Sequence, residues 1–180
     1  GRIQAGDAVI ASGDVGRHGI AVMGVRAGLE LGSTLQSDCA PLVDPVRALL
    51  DAKVDLHCLR DLTRGGLASA LAELCLDSSV DMEIDEGLVP VHDAVRGACE
   101  LFGLDPLYVA NEGRMVAIVA AADEAACLDA LRAHSVSSAA VRIGTVTKMR
   151  GTRGSVSARG PLGAMRPLRL QSGEQLPRIC

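Results

Sequence analysis

The apolar positions change period several times along the chain, and each change marks an element. An apolar run near 7–12 reads as a strand. It feeds the glycine-rich loop SGDVGRHG, residues 12–19, and then a helix from Ile20 to Leu31 with apolar residues on several faces. After the polar loop 32–41, Asp44 is placed to cap a helix whose first turn takes Pro45, where the missing N–H costs nothing. Residues 54–61 read as a strand, and LTRGG at 62–66 as a turn into an apolar-periodic helix. A strand at 80–84 and a helix from about 91 to 102 follow. Residues 106–121 then read as a pair of strands interrupted by the polar knot Asn111-Glu112-Gly113. Asp123 caps a helix to about 133, residues 140–147 form a strand, and a Gly/Arg-rich hairpin closes the domain. Helices alternate with strands, yet the last strands look antiparallel. The pattern therefore predicts an α+β fold: a mixed sheet with helices packed on it in layers and βαβ units at its core.

Residues 1–170 form one domain in this reading, and 171–180, which lack periodicity and carry Gly173 and Pro177, form a mobile C-terminal tail. There is no initiator Met and the chain enters an apolar strand almost at once, so it reads as the inside of a longer protein.

Composition narrows the function classes. Of 180 residues 48% are apolar and 1% aromatic, so the core is aliphatic and stacking platforms for bases are excluded. The net charge of −4 gives no general attraction to nucleic acid or acidic membranes, and neither is expected as a partner. Between Asp129 and Glu174 there is no acidic residue, while Arg132, Arg142, Lys148, Arg150, Arg153, Arg159, Arg166 and Arg169 fall there. That stretch is either a solvated Arg-rich surface or a basic rim for an anionic ligand. The six cysteines show neither CxxC nor zinc-ligand spacing, so no metal site is expected, and they point to a reducing cytoplasm. Cys58, Cys75, Cys99 and Cys127 lie on apolar faces as small hydrophobes.

Three loops and the chain end carry candidate chemistry. In DLTRGG, Gly65 and Gly66 let the backbone approach a ligand, the first helical turn offers free N–H groups, and Arg64 adds a forked donor. The alternative is glycine used only for tight packing of helix on sheet. Gly13, Gly16 and Gly19 give the 12–19 loop the same character, without the P-loop pattern. Within it, His18 serves as a proton carrier or anion donor, or caps the helix start. His57, His92 and His134 have no matched partners and read as structural or surface residues. In ANEG, Glu112 is a carboxylate in a tight turn at a sheet edge, suited to a general base, with a plain β-turn as the alternative. Cys180 is a thiol on the last residue, beside Arg178. Its position excludes prenylation, which needs Cys four residues from the end. At roughly 3.3 Å per extended residue the tail can sweep about 30 Å, the geometry of a swinging carrier arm.

Taken together, SGDVGRHG, SDCAPL, DLTRGG, ANEG and the terminal PRIC resemble the HypE family of carbamoyl dehydratases, hydrogenase maturation factors within the AIR-synthase-like, ATP-dependent superfamily. The likeness runs over essentially the whole chain, and PRIC is what singles out this branch. The resemblance implies a PurM C-terminal-domain-like fold plus tail, with the N-terminal ATP-binding domain outside this chain and the fragment alone inactive. It implies that Cys180 accepts a carbamoyl group from the HypF carbamoyltransferase. ATP-dependent dehydration to a thiocyanate follows, and cyanide passes to iron held by HypC and HypD. Glu112 is then the candidate base. Gly13, His18, Gly19, Arg64, Gly65, Gly66 and Asn111 bind anions or line the path of the tail. ATP with Mg would be bound mainly by the N-terminal domain, and the full-length protein would be a cytoplasmic homodimer. Where the family pattern often has Asp before the loop histidine, this chain has Arg17. The alternatives are the substrate-binding half of another enzyme of the superfamily, or a non-catalytic partner-docking module.

Overall fold

The computed structural model describes residues 2–28, 35–150 and 153–170. Among the described residues seven strands form a single sheet: β1 (Ala8–Ala11), β2 (Leu56–Asp61), β3 (Val80–Asp85), β4 (Met115–Val119), β5 (Val141–Met149), β6 (Val156–Arg159) and β7 (Met165–Leu168). The α-helices of the described residues are α1 (Arg17–Arg26), α2 (Val43–Asp51), α3 (Gly66–Ser78), α4 (Asp93–Phe102) and α5 (Glu124–Arg132). The sheet order is β2-β4-β1-β5-β3-β6-β7. Every ladder is antiparallel except β3 with β6.

The sheet is mixed, as expected, but the βαβ expectation needs correction. The strands joined through helices, β1 to β2 and β2 to β3, point the same way without being neighbours. β4 is inserted between β1 and β2, and β5 between β1 and β3. Strand alternation sends each residue set to a different layer. Val9, Ala11, Val116, Ile118, Met82 and Ile84 meet Leu67, Leu71 and Cys75 of α3. On the opposite face Ala8, Ile10, Met115, Ala117 and Val119 meet Leu49 of α2 and Cys127 and Leu131 of α5. β4, covered on both faces, is buried along its whole length. A third cluster, Ile20, Val95, Ala98, Cys99 and Val109, joins α1 to α4 beside the sheet.

Several boundaries differ from the sequence reading. The first member of the strand pair over 106–121 is instead a 3₁₀ turn, Pro106–Tyr108, with the Asp105 carboxylate accepting the Leu107 N–H at 3.0 Å. Proline at the first position and an Asp cap favour a turn over an extended run. α1 starts at Arg17 rather than Ile20. α2 starts at Val43, so Asp44 lies inside its first turn and makes no capping bond. Asp123 stands at the N-cap of α5, yet its carboxylate accepts the Asp55 N–H at 2.7 Å. It ties the helix start to β2 rather than capping its own helix.

His57 is a structural residue, and contrary to expectation it has a partner: its Nδ1 lies 2.6 Å from Asp7 Oδ2, both side chains only 2% exposed. This pair joins the segment before β1 to β2, at the end of the sheet away from the glycine-rich loops. Four of the eight cations in the Arg-rich stretch form ion pairs among the described residues. Arg142 pairs with Glu124, Arg150 with Asp81, Arg159 with Glu83, and Arg166 with both Glu86 and Asp105. Paired arginines favour a solvated, cross-linked hairpin surface over an open basic rim. No helix among the described residues is long and apolar enough to cross a membrane.

Candidate functional site

Sheet order gathers the three loops. β1 and β2 run toward the same end, and β4 runs back between them, with Ala11 opposite Val116 and Asp61 opposite Met115. The loop leaving β1 (12–16), the turn leaving β2 (62–66) and the loop entering β4 (111–114) must therefore lie side by side. Backbone bonds continue the ladders into them: Ser12 N–H donates to Met115 O at 2.9 Å, and Leu62 N–H to Arg114 O at 3.0 Å.

Three buried polar side chains lock the loops together. Asn111 is fully buried; its Oδ1 accepts the Gly16 N–H at 2.7 Å, and its Nδ2 donates to Leu62 O at 2.9 Å and Val109 O at 3.1 Å. One amide thus spans all three loops with both of its N–H donors used. Arg114 is 5% exposed and donates to Asp14 O, Gly113 O, Val136 O and the Asp14 carboxylate. A Cβ at Gly13 would come within 2.9 Å of Arg114 Nε, so that loop needs glycine to lie against the guanidinium. Asp38, 4% exposed, accepts the backbone N–H of His18 on Oδ1 and those of Glu112 and Gly113 on Oδ2.

The two helix starts differ. α1 begins behind Gly16, at φ 90°, and its first turn is filled from within: His18 N–H goes to Asp38, and Gly19 N–H to Ala110 O at 3.0 Å. The anion at that helix end is the protein's own Asp38, so the backbone donors of His18 and Gly19 are already engaged. α3 begins behind Gly65, at φ 71°, with Gly66 at φ 61°. A Cβ at Gly66 would lie 2.6 Å from both Leu107 O and Val109 O. Tight packing and backbone conformation each demand glycine there. The N–H groups of Leu67 and Ala68 meet no acceptor among the described residues, and Arg64 is exposed beside them.

The side chains with chemistry to offer sit around this knot. Glu112 is half-buried, and its carboxylate makes no hydrogen bond or ion pair with another described residue. His18 Nδ1 lies 2.9 Å from Ser37 Oγ, which also accepts the Cys39 N–H, while His18 Nε2 is buried without a partner among the described residues. Cys180 lies outside the described residues. Ahead of that segment, Tyr108 in the 3₁₀ turn against Gly66 exchanges two hydrogen bonds with the main chain of Arg169.

Burial pushes the thiols of Cys75 and Cys127 up to about 12 and that of Cys99 up to about 11, with neighbouring carboxylates adding to the effect. Cys58 is pushed up as well, again by burial.

Asp38, Arg114 and Asp14 were not singled out from the sequence. Asp38 belongs to SDCAPL but stands 20 residues from His18 and 74 from Glu112. No local pattern announces a cap supplied over that distance.

The fold and its three adjoining glycine-bearing loops define a class. Residues 4–157 match the family model described as AIR synthase related protein, C-terminal domain, and the chain belongs to that family. Within it, the chain is similar to the carbamoyl dehydratase HypE of Cupriavidus necator, 49% identical over 175 residues, 97% of this chain and 49% of that protein. It is similar to the solved structure of the hydrogenase maturation protein HypE in complex with ATP, with TM-score 0.91 and 40% identity over 99% of this chain and 54% of that one. The HypE-HypF complex structure matches with TM-score 0.84 and 34% identity, over 92% of this chain and 53% of that one. The chain spans about half the length of the curated relatives it matches.

Proposed function

We propose that this chain is the C-terminal half of an ATP-dependent carbamoyl dehydratase acting in hydrogenase maturation, with Cys180 as the carrier thiol. The observation that carries the proposal is that the loop bearing Glu112, whose carboxylate has no partner among the described residues, lies beside the turn into α3 at one end of the sheet. It is reinforced by similarity to a carbamoyl dehydratase across 97% of the chain.

The carrier thiol accepts a carbamoyl group from a HypF-type carbamoyltransferase, giving an S-carbamoyl group that then loses one water to become S-cyano. Both N–H protons must leave nitrogen, and the oxygen must leave carbon. Bound ATP supplies the phosphoryl group that makes that oxygen a competent leaving group. Glu112 takes a proton from nitrogen, since its carboxylate has no competing donor among the described residues. Arg64, exposed in the turn before α3, presents a fork of N–H donors suited to an anionic oxygen. This donor set fits phosphate oxygens. The described residues bring together no set of three acidic, His or Cys side chains for a metal ion. In this reading the remaining nucleotide contacts and the magnesium ligands come from the other half of the protein. The S-cyano product is the source of cyanide for iron carried by HypC and HypD, and the full-length protein is a cytoplasmic homodimer.

The test incubates the full-length protein with the carbamoyltransferase, carbamoyl phosphate and ATP, and follows the C-terminal peptide by mass spectrometry. A carbamoyl adduct on Cys180 that then loses one water supports the proposal. An adduct elsewhere, or none, removes it.

A further inference from the structure

Asp38 holds more of the site than its place in the sequence suggests. Its side chain is buried in the loop between α1 and α2, and among the described residues no cation pairs with it. Three N–H donors and the positive end of α1 meet its charge instead. Oδ1 accepts from His18 N at 2.8 Å, and Oδ2 from Glu112 N at 3.1 Å and Gly113 N at 3.0 Å. The approach is close: a Cβ at Gly113 would stand 2.0 Å from the Asp38 carbonyl oxygen.

The two N–H groups on Oδ2 belong to the peptide groups on either side of the Glu112 Cα. Anchoring both planes to one oxygen fixes φ and ψ of Glu112 together. The carboxylate of Glu112, unanchored by any described side chain, takes its direction from that backbone. The other oxygen of Asp38 holds the main chain of His18, so the two side chains are set in one frame.

We propose that Asp38 is the positioning residue for Glu112, fixing both peptide groups that flank it and so the direction in which its carboxylate is presented beside His18. The proposal rests on Glu112 as proton acceptor in the function proposed above. A displacement near 1 Å at a reacting group costs about 100-fold in rate, so the effect is measurable.

The test is a double-mutant cycle in the full-length protein. Single-turnover loss of water is measured on the carbamoylated enzyme and normalised to its carbamoylated fraction. Asp38→Asn keeps the shape but turns an NH₂ donor toward an N–H donor. It is expected to slow dehydration about 10- to 100-fold. In the Glu112→Gln background the same change should slow the residual reaction no further, because its effect travels through Glu112. Equal losses in both backgrounds, or an unimpaired Asp38→Asn enzyme, overturn the positioning role alone. A Glu112→Gln enzyme that dehydrates at the wild-type rate overturns the base assignment, and the positioning role with it. If Asp38→Asn does not fold, Asp38→Ser, which adds no amide donor, carries the same cycle.

Discussion

The phenolic oxygen of Tyr108 accepts the Arg169 N–H at 3.0 Å and donates to the Arg169 carbonyl at 3.1 Å. The two residues are 61 positions apart. Tyr108 belongs to the 3₁₀ turn whose carbonyls press on Gly66, so the main chain at Arg169 is stapled to the turn at the start of α3. Tyr108→Phe removes both bonds and keeps the ring. In an exposed setting the loss should cost about 1 kcal/mol. Amide hydrogen exchange at Arg169 should quicken several-fold while that of β4 is unchanged, and an unaltered Arg169 rate would show that the staple contributes nothing.

Gly66 and Gly103 separate packing from backbone conformation. Both have positive φ, 61° and 67°, but a Cβ at Gly66 strikes two carbonyl oxygens, whereas at Gly103 nothing lies within 4 Å. Gly103→Ala should cost about 1 kcal/mol from the left-handed backbone alone. Gly66→Ala should cost at least about 2 kcal/mol, since the turn must move away from the chain at 107–109. Thermal or urea unfolding of the two variants measures the difference, and equal losses would refute the packing argument.

Asp81 gives a pH signature. Burial pushes its carboxyl up, but hydrogen bonds from Arg150 and Ser155 outweigh this and hold it below the usual 3.8. Ser155 donates from both N and Oγ at 2.9 Å. A carboxyl depressed by folding adds stability that is fully present above its unfolded pKa and is lost as pH falls through the folded value. Wild type should therefore be more stable than Asp81→Asn at pH 6–7, and the gap should close progressively below about pH 4. A gap independent of pH would rule out the ionised form as its source.

The cysteines predict a selective labelling pattern. At pH 8 a thiol pushed up to about 12 is ionised in only about one molecule in 10⁴. Cys75, Cys99 and Cys127 are also buried, while Cys39 is exposed. Iodoacetamide should modify Cys39 quickly and those three only after unfolding, as read by peptide mass spectrometry. Fast labelling of Cys75 in the folded protein would contradict the burial.

Much of the element list could be read from the sequence, because period and punctuation are local properties. The apolar run over 7–12, the punctuation at Gly65-Gly66 and the apolar run 115–119 all became the elements they predicted. The stretch 106–110 differs because Pro106 and the Asp105 carboxylate favour a turn, and its apolar residues pack into clusters rather than a ladder, Leu107 against the core around α3 and Val109 between α1 and α4. His57 proved structural, but its partner was not legible for a different reason: Asp7 lies 50 residues away.

What the sequence determined by itself was the mixed α+β class, the glycine-bearing loops, the carboxylate at Glu112 and the terminal thiol of Cys180, all of which follow from residue type and short-range spacing. Only the tertiary structure decided that β4 runs back between β1 and β2, which brings the loops to one end of the sheet. It also decided that Asp38 fills the first turn of α1 while the carbonyls of Leu107 and Val109 pack against Gly66 at the start of α3. The physical reason is range: strand order and a cap supplied from a distant loop are set by which buried surfaces and polar groups satisfy one another across the whole fold, and no local stretch of chain contains that information.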